Sequence, residues 1–259
     1  MSTRDELFQR GEAMRQQLQH LAYATPTLSA ERLAPGARRL TTELIFGGVW
    51  SRPGLALQHR MTCTLAVLSV LQRLPQLRVY MHSALSISMS ARTIQEIMVH
   101  CALYGGFPTM VNSLRLAREV FDERGVTVPD TPLPERSLEE LESQGQRLRQ
   151  ELQGTYGQSG YAASSTHLAA DLLQLAVQYG YGEIWGRPDL DRQSRVVCAL
   201  AAFTVLGGCE PQLRGFLHAA HQVGFRTSEI VEILMHTAPY GGFPKALNAL
   251  TLAQEVLRS

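Results

Sequence analysis

Apolar residues recur at intervals of three and four along most of the chain. Leu65, Leu68 and Leu71 follow this spacing in one segment, and Ile94 and Ile97 follow it in another. Such spacing places the apolar side chains on one face of an α-helix. We find no five-residue stretch with a convincing alternation of apolar and polar positions, as a half-buried strand would show. The pattern therefore predicts an all-α protein.

The helical pattern occurs twice. When residues 75–120 are aligned with residues 211–256, 22 of 46 positions are identical. The shared positions include the pentapeptide Tyr-Gly-Gly-Phe-Pro, which begins at Tyr104 and at Tyr240, and a Trp-x-Arg-Pro-x-Leu segment also occurs in each half. Repetition at this level predicts a tandem duplication of one helical domain.

The segment between the copies contains three prolines, Pro129, Pro132 and Pro134. A proline-rich stretch of this kind is typical of an extended linker. We therefore expect a first domain at 1–124, a linker at 125–137 and a second domain at 138–259. Within each copy, the Gly-Gly pair of the pentapeptide predicts the end of a helix, and the following proline suits the first turn of the next one.

Composition narrows the function. The 259 residues are 45% hydrophobic with a formal net charge of +1, and no basic stripe is interleaved with aromatic residues, so a nucleic-acid partner is not expected. The longest apolar run, residues 196–209, is shorter than the roughly 20 residues of a membrane helix. The first residues lack the apolar core of a signal peptide. We therefore expect a cytoplasmic protein that acts on a small molecule and has no membrane partner.

The cysteines give no sign of metal or disulfide chemistry. They form no Cys-x-x-Cys pair and no spacing typical of zinc sites. We expect them to behave as small buried hydrophobes. The four positions are Cys63, Cys101, Cys198 and Cys209.

A glutamate precedes a histidine by four residues in both copies, as Glu96 and His100 and as Glu232 and His236. On a helix this spacing puts the two side chains on one face, within hydrogen-bonding reach. A carboxylate that orients an imidazole prepares it for general acid or base catalysis. A buried pair that fixes a helix corner is the alternative, and the sequence leaves both open.

Further histidines, His82 and His218, lie on the helix before each Glu–His pair. Packing of the two helices could bring three polar groups together, and two histidines with one glutamate would be enough to bind a metal ion. However, the Glu-x-x-His spacing of carboxylate di-metal bundles is absent. We expect no metal site, and a histidine on an apolar face is more often a core residue.

Each Trp-x-Arg-Pro-x-Leu segment presents a guanidinium group beside an indole ring. Such a group could bind a substrate carboxylate through two hydrogen bonds, or it could pair with a helix end or a neighbouring subunit. The same alternatives apply to the arginines that begin the long apolar helices. The residues concerned are Trp50, Arg52 and Arg60 in the first copy and Trp185, Arg187 and Arg195 in the second.

Together, these segments resemble the carboxymuconolactone decarboxylase family over residues 40–121 and 175–257. The resemblance implies the all-helical alkylhydroperoxidase-like fold, whose single-domain members form trimers or hexamers. A tandem chain resembles two such units joined covalently, so we expect a homotrimer with a hexamer-like arrangement. The family's peroxidase branch needs a Cys-x-x-Cys motif, where this chain has Leu74 and Leu77 or Cys209 and Gln212. Without a second thiol, a dithiol cycle cannot run.

The resemblance therefore implies the decarboxylase branch. In that chemistry a carboxylated lactone serves as its own electron sink, so no cofactor is expected. The protein must bind the carboxylate, stabilise the enolate and supply a proton. The resemblance implies that Arg52 and Arg187 bind the carboxylate. The proton donors would be His100 and His236, or His82 and His218; Tyr104 and Tyr240 are further candidates for substrate contact.

One departure from the family pattern leaves other functions open. Lactone decarboxylases of the family usually carry a histidine where this chain has Tyr80 and Phe216. Tyr80 could still donate a hydrogen bond, whereas Phe216 cannot. A cyclase or isomerase acting on a polyketide-like or aromatic precursor is one alternative. A non-catalytic binding or scaffold protein, with Tyr80 and Phe216 filling the pockets, is another.

Overall fold

A computed structural model describes residues 2–19, 34–130, 132–154 and 169–257, and these contain helices and no strand. The prediction of an all-α protein is confirmed. The first half comprises α1 (Arg4–Gln17), α2 (Ala37–Thr41), the π-helix π1 (Thr42–Trp50), α3 (Leu57–Val70), α4 (Leu74–Ser86), α5 (Ala91–Gly105) and α6 (Phe107–Glu123). The second half comprises α7 (Leu138–Gln153), α8 (Ala170–Leu175), the π-helix π2 (Ala176–Ile184), α9 (Arg192–Leu206), α10 (Glu210–Gln222), α11 (Thr227–His236), α12 (Ala238–Gly241) and α13 (Phe243–Val256).

The first helix of each half packs directly on the π-helix of that half. A Cβ atom on Gly11 would lie 2.2 Å from the carbonyl oxygen of Thr42, and one on Gly145 would lie 2.1 Å from that of Val177. These contacts are possible only because glycine lacks a side chain. The π-helix π1 ends at Trp50, and π2 ends one residue before Trp185. This packing therefore helps to position the indole ring of each repeated segment in the core.

Helices α3 and α9 form the centre of the molecule. Every residue from Arg60 to Val70 is buried, and α9 is almost as completely covered. The two helices pack against each other; α5 also packs on α9, and α11 packs on α3. The two copies therefore share one hydrophobic core rather than two separate ones.

The corner after each Glu–His pair differs between the copies. In the first copy, α5 ends at Gly105, Gly106 adopts a φ of 88°, and Pro108 lies in the first turn of α6, as predicted. In the second copy, the corresponding helix stops at His236 and a short helix, α12, follows. Pro239 stands where the first copy has Leu103, and proline has no amide hydrogen to continue the helix.

The remaining expectations concern the cysteines, the linker and membrane spans. Cys63, Cys101 and Cys198 are buried, as predicted, whereas Cys209 is partly exposed. Burial foremost, and then the charge of Glu210, raise the pKa of Cys209. Between the end of α6 and the start of α7, the described residues form a turn followed by chain that is neither helix nor strand. Among the described helices, none is both long and apolar enough to cross a membrane.

Candidate active site

Two pseudo-equivalent polar clusters lie between the copies, and each draws residues from both. We name them after the residue at which they differ most. The Tyr80 site contains Trp50, Arg52, Arg60, Thr64 and Tyr80 from the first copy, with Glu232, His236 and Tyr240 from the second. The Phe216 site contains Trp185, Arg187, Arg195 and Phe216 from the second copy, with Glu96, His100 and Tyr104 from the first.

Each glutamate pairs with arginines of the other copy. The Glu232 carboxylate accepts hydrogen bonds from Arg52 Nε at 2.8 Å, Arg52 Nη2 at 2.6 Å and Arg60 Nη2 at 2.8 Å. The Glu96 carboxylate accepts bonds from Arg187 at 2.8 and 2.7 Å. Burial alone would raise the pKa of Glu232, but these hydrogen bonds outweigh it and hold the pKa below its ordinary value.

The prediction that the glutamate and histidine of each helix bond to each other is therefore wrong. The four-residue spacing does place both side chains on one face, but a guanidinium from the other copy reaches the carboxylate instead. The arginine that faces each imidazole also lies near the glutamate, with Arg60 Nη2 2.8 Å from Glu232 and Arg195 Nη2 3.9 Å from Glu96. Arg60 Nη1 lies 3.4 Å from His236 Nδ1, and Arg195 Nη1 lies 3.2 Å from His100 Nδ1.

This arrangement determines the protonation of both histidines. A guanidinium can only donate hydrogen bonds, so the Nδ1 atoms of His100 and His236 must accept and their protons lie on Nε2. Both histidines are completely buried. Burial, and then the positive charge of Arg195 or Arg60, lower their pKa values well below the ordinary value. Each histidine is therefore a neutral hydrogen-bond donor near pH 7, rather than a base oriented by a carboxylate.

The two sites differ in which hydroxyl group accepts the hydrogen bond from the histidine Nε2–H. His236 Nε2 lies 2.9 Å from the Thr64 hydroxyl. Ala199 occupies the position of Thr64 in the Phe216 site, and there His100 Nε2 lies 3.1 Å from the Tyr104 hydroxyl. The Thr64 hydroxyl is therefore an element that one site has and the other lacks.

Aromatic rings cover the histidines in both sites. Trp50 meets His236 edge-on with the ring centroids 4.7 Å apart, and it stacks on Tyr80 at 5.8 Å. The indole Nε1 donates to the Tyr240 hydroxyl at 2.6 Å, and the Tyr80 and Tyr240 hydroxyls lie 2.7 Å apart. In the other site, Trp185 meets His100 at 4.8 Å and stacks on Phe216 at 5.8 Å.

The arginines of the Trp-x-Arg-Pro-x-Leu segments lie at the rim. The side chain of Arg52 is 42% exposed and that of Arg187 is 18% exposed. Their Nε and Nη2 atoms donate hydrogen bonds to the glutamate carboxylates. One edge of the guanidinium that was predicted to bind a substrate carboxylate is therefore already occupied. The Arg52 guanidinium is therefore partly accessible to solvent.

The structure does not join His82 and His218 to the Glu–His pairs. His82 Nε2 lies 3.2 Å from the carboxylate of Glu123 on α6. Arg214 and His221, on the same helix as His218, are its neighbours. Burial lowers the pKa of both histidines. Among the described residues, no group of three or more His, Cys, Asp or Glu side chains is placed to bind a metal ion.

Two features of the sites escaped the sequence analysis. Thr64 was not among the predicted site residues, although aligning the copies pairs Thr64 with Ala199 and so marks a polar position that only one copy has. Each Glu–His pair was also treated as belonging to its own copy, and no sequence signal indicated that the arginines come from the other. For Arg60 and Arg195 the sequence left carboxylate binding and structural pairing both open, and the structure places each of them against both members of a Glu–His pair.

Comparison with known proteins places these observations in a family. The family model described as "Carboxymuconolactone decarboxylase family" matches residues 35–119 and 170–255. The chain is 36% identical to a 4-carboxymuconolactone decarboxylase of Acinetobacter baylyi over 81 residues, which are 31% of this chain and 60% of that protein. It is 33% identical to an uncharacterised 15.0 kDa protein of Paracoccus denitrificans over 34% of this chain and 64% of the relative.

A third relative is more distant but is covered more fully. The chain is 25% identical to a nitrosuccinic acid decarboxylase of Metarhizium robertsii over 119 residues, which are 45% of this chain and 81% of that protein. In the first two comparisons, the match spans less than two thirds of the relative's length.

Proposed function

The chain belongs to the carboxymuconolactone decarboxylase family, and from this premise we propose that it removes CO2 from a small carboxylate that carries its own electron-accepting group. The observation that carries the proposal is the rim arginine of the Tyr80 site. Glu232 holds the Nε and Nη2 atoms of Arg52, while the Arg52 side chain stays 42% exposed. A guanidinium oriented in this way is prepared to bind an incoming carboxylate.

The names of two relatives support the substrate class. One is a decarboxylase of 4-carboxymuconolactone and the other of nitrosuccinic acid. In the first compound a lactone carbonyl can accept the electron pair left by CO2, and in the second a nitro group can do so. We infer that this chain takes a compound of the same type. Since such a substrate stabilises its own carbanion, we propose a reaction without a metal or an organic cofactor.

The protein's own residues would orient and stabilise the reacting groups. In this proposal, Arg52 binds the carboxylate and Glu232 fixes Arg52 in position. Trp50 and the aromatic rings around it provide an apolar surface, which favours the spreading of the carboxylate charge into the substrate as neutral CO2 departs. The neutral His236 acts through its Nε2–H as a hydrogen-bond donor that orders the hydroxyl groups of the site.

We further propose that three chains assemble into a ring. The support is a set of exposed apolar side chains that repeat at equivalent positions near the start of α6 and α13. Phe107 and Phe243 are 58% and 49% exposed, and Val111 and Leu247 are 48% and 60% exposed. Large exposed apolar side chains that cluster on one face commonly mark an interface.

A second candidate function is a non-catalytic scaffold. The observation in its favour is that Tyr80 and Phe216 are both buried and stacked on the tryptophans, where they fill space that a ligand would need. In that case the crossed Arg–Glu pairs would serve only to join the copies. The two candidates differ in whether the Arg52 rim binds and converts a carboxylate.

The experiment is a direct assay of CO2 release. Purified protein is incubated with 4-carboxymuconolactone and, separately, with nitrosuccinate, in the presence of EDTA. We expect release from at least one compound, and a fall in kcat/KM of about 100-fold in Arg52→Gln, which corresponds to the roughly 3 kcal/mol of a charged hydrogen bond. Arg187→Gln, made in parallel, measures the contribution of the other site. Absence of release from both compounds would refute the proposal and favour the scaffold.

A further inference from the structure

The side chain of Gln72, just beyond the end of α3, is held by residues of α3 and α6. Its amide nitrogen donates to the backbone oxygens of Ser69 at 2.8 Å and Thr109 at 3.4 Å, and it lies 3.5 Å from the Ser113 hydroxyl. Its amide oxygen accepts a hydrogen bond from Asn112 Nδ2 at 2.8 Å. The niche between these helices therefore matches a primary carboxamide at both of its polar atoms.

The second copy has Gly207 at this position, so no side chain fills the corresponding niche. In each copy the residue is the first with a positive φ after the central helix, 53° at Gln72 and 73° at Gly207. A cleft of about 70 Å³ lies beside Gly207. Its lining includes the counterparts of all four residues that contact Gln72, which are Thr204, Lys245, Asn248 and Ala249. The cleft is therefore the space that the Gln72 carboxamide occupies in the first copy.

The cleft keeps the two groups that make the shortest hydrogen bonds with Gln72. Asn248 stands where the first copy has Asn112, and it is exposed, so its amide can donate to a ligand. Thr204 stands where the first copy has Ser69. The Thr204 carbonyl belongs to the last turn of α9, where carbonyl groups have no partner within the helix. A donor and an acceptor are thus available for a ligand that replaces the Gln72 amide.

The charges around the cleft balance each other. The Lys245 ammonium group donates to the backbone oxygen of Val205 at the end of α9, and the Glu210 carboxylate also lines the cleft. The Cys209 thiol stays protonated near pH 7, because burial and then the charge of Glu210 raise its pKa. The surroundings therefore favour a neutral polar group over an ion.

We propose that this cleft of the second copy binds a small neutral molecule through a primary carboxamide group. The amide nitrogen of the ligand donates to the Thr204 carbonyl, and its amide oxygen accepts from Asn248. A carboxylate of the same shape can only accept hydrogen bonds, so it would leave the Thr204 carbonyl without a partner. None of the residues that define the Tyr80 site or the Phe216 site lines this cleft, and the inference does not depend on the proposed function.

The partly exposed thiol of Cys209 provides a probe, since the other three cysteines are buried. Methyl methanethiosulfonate converts an accessible thiolate to a mixed disulfide and releases methanesulfinate, and intact-protein mass spectrometry follows the rate. Propionamide corresponds to the side chain of glutamine. At about ten times its Kd it should slow the reaction about tenfold, because a filled cleft covers the thiol.

Propionate, which has the same shape and a negative charge, is the control ligand. At the same concentration we expect it to slow the reaction less than about twofold, because it lacks the amide donors. A reaction rate that propionamide does not change, even at about 0.1 M, would overturn the inference, because a ligand of this size that fits the cleft should bind at that concentration. Equal protection by propionate would overturn the assignment of a carboxamide.

Asn248→Leu tests the donor in the cleft. The side chain is exposed, so the variant should fold, and thermal unfolding checks this. We expect protection by propionamide to be lost, because leucine has a similar size and no amide. The matched control is Asn112→Leu, which removes the equivalent residue of the first copy and should leave the protection of Cys209 unchanged. Protection that survives Asn248→Leu would overturn the inference.

A second measurement does not use the thiol. Gln72→Gly removes the side chain that fills the first niche, and glycine readily adopts the positive φ of this position. Propionamide should then have two niches to occupy instead of one. We expect it to raise the Tm of Gln72→Gly more than the Tm of the unaltered protein, in proportion to the added binding. Equal rises in Tm would overturn the equivalence between the cleft and the Gln72 niche.

Discussion

The ion pairs between Glu232 of the second copy and Arg52 and Arg60 of the first offer a test of what holds the two copies together. Glu232→Gln keeps the size of the side chain and one hydrogen-bond acceptor but removes the negative charge. Arg60 is then left with its positive charge 1% exposed and no anion beside it. Arg52, whose side chain is 42% exposed, can turn to water. The loss of stability should therefore come mainly from Arg60.

The size of the effect follows from this burial. Removing one partner of a buried ion pair costs about 3 to 5 kcal/mol, because the other charge stays behind without compensation. Gln can still accept one bond, and Arg52 is partly hydrated, so we expect a loss of about 3 kcal/mol. In a chain of this size, each kcal/mol moves Tm by roughly 2 to 4 °C. The variant should therefore unfold at a Tm lower by about 9 °C.

The assay is urea unfolding followed by fluorescence of the two tryptophans, Trp50 and Trp185, which both lie in the sites. The matched control is Glu229→Gln on the same helix. Glu229 pairs with Arg226, whose side chain is 77% exposed, and exposed pairs contribute about 0 to 1 kcal/mol. Glutamine can also preserve the helix cap that Glu229 provides. Equal losses in the two variants would refute the argument from burial.

Two further predictions concern pH and assembly. Because His100 and His236 have pKa values well below the ordinary value, both are neutral when folded and take up protons on unfolding. The free energy of unfolding should therefore fall below about pH 6.5, by up to roughly 1.4 kcal/mol per pH unit for each histidine. Replacing both with Gln should flatten the pH dependence measured by urea unfolding between pH 6.5 and 5.5. Light scattering should give a mass about three times the 28.7 kDa of one chain, and Phe107→Glu combined with Phe243→Glu should yield single chains; a monomeric unaltered protein would contradict the proposed ring.

Much of the fold could be predicted from the sequence, because helices are encoded locally. The spacing of apolar residues indicated helices throughout, and the Gly-Gly and Pro positions marked the corner between α5 and α6. The corresponding corner of the second copy was predicted less well, since the effect of Pro239 on the preceding helix was overlooked. The two π-helices were not predicted, because apolar spacing of three and four residues does not distinguish them from α-helices.

The residues of the candidate site were predicted, but the hydrogen bonds between them were not. Glu232, His236 and Arg52 were all selected, yet the expected bond between glutamate and histidine is replaced by bonds to arginines of the other copy. Spacing along one helix can show that two side chains share a face. It cannot show which third group reaches that face from a segment about 170 residues away in the chain.

The sequence by itself determined that the chain is helical, that it is duplicated, and which polar residue types recur in both copies, because periodicity and repetition are properties of the linear chain. Only the tertiary structure decided that each glutamate pairs with arginines of the other copy and that both histidines are neutral donors. These features depend on which groups face each other after burial. A charge removed from water must find a partner wherever the fold supplies one.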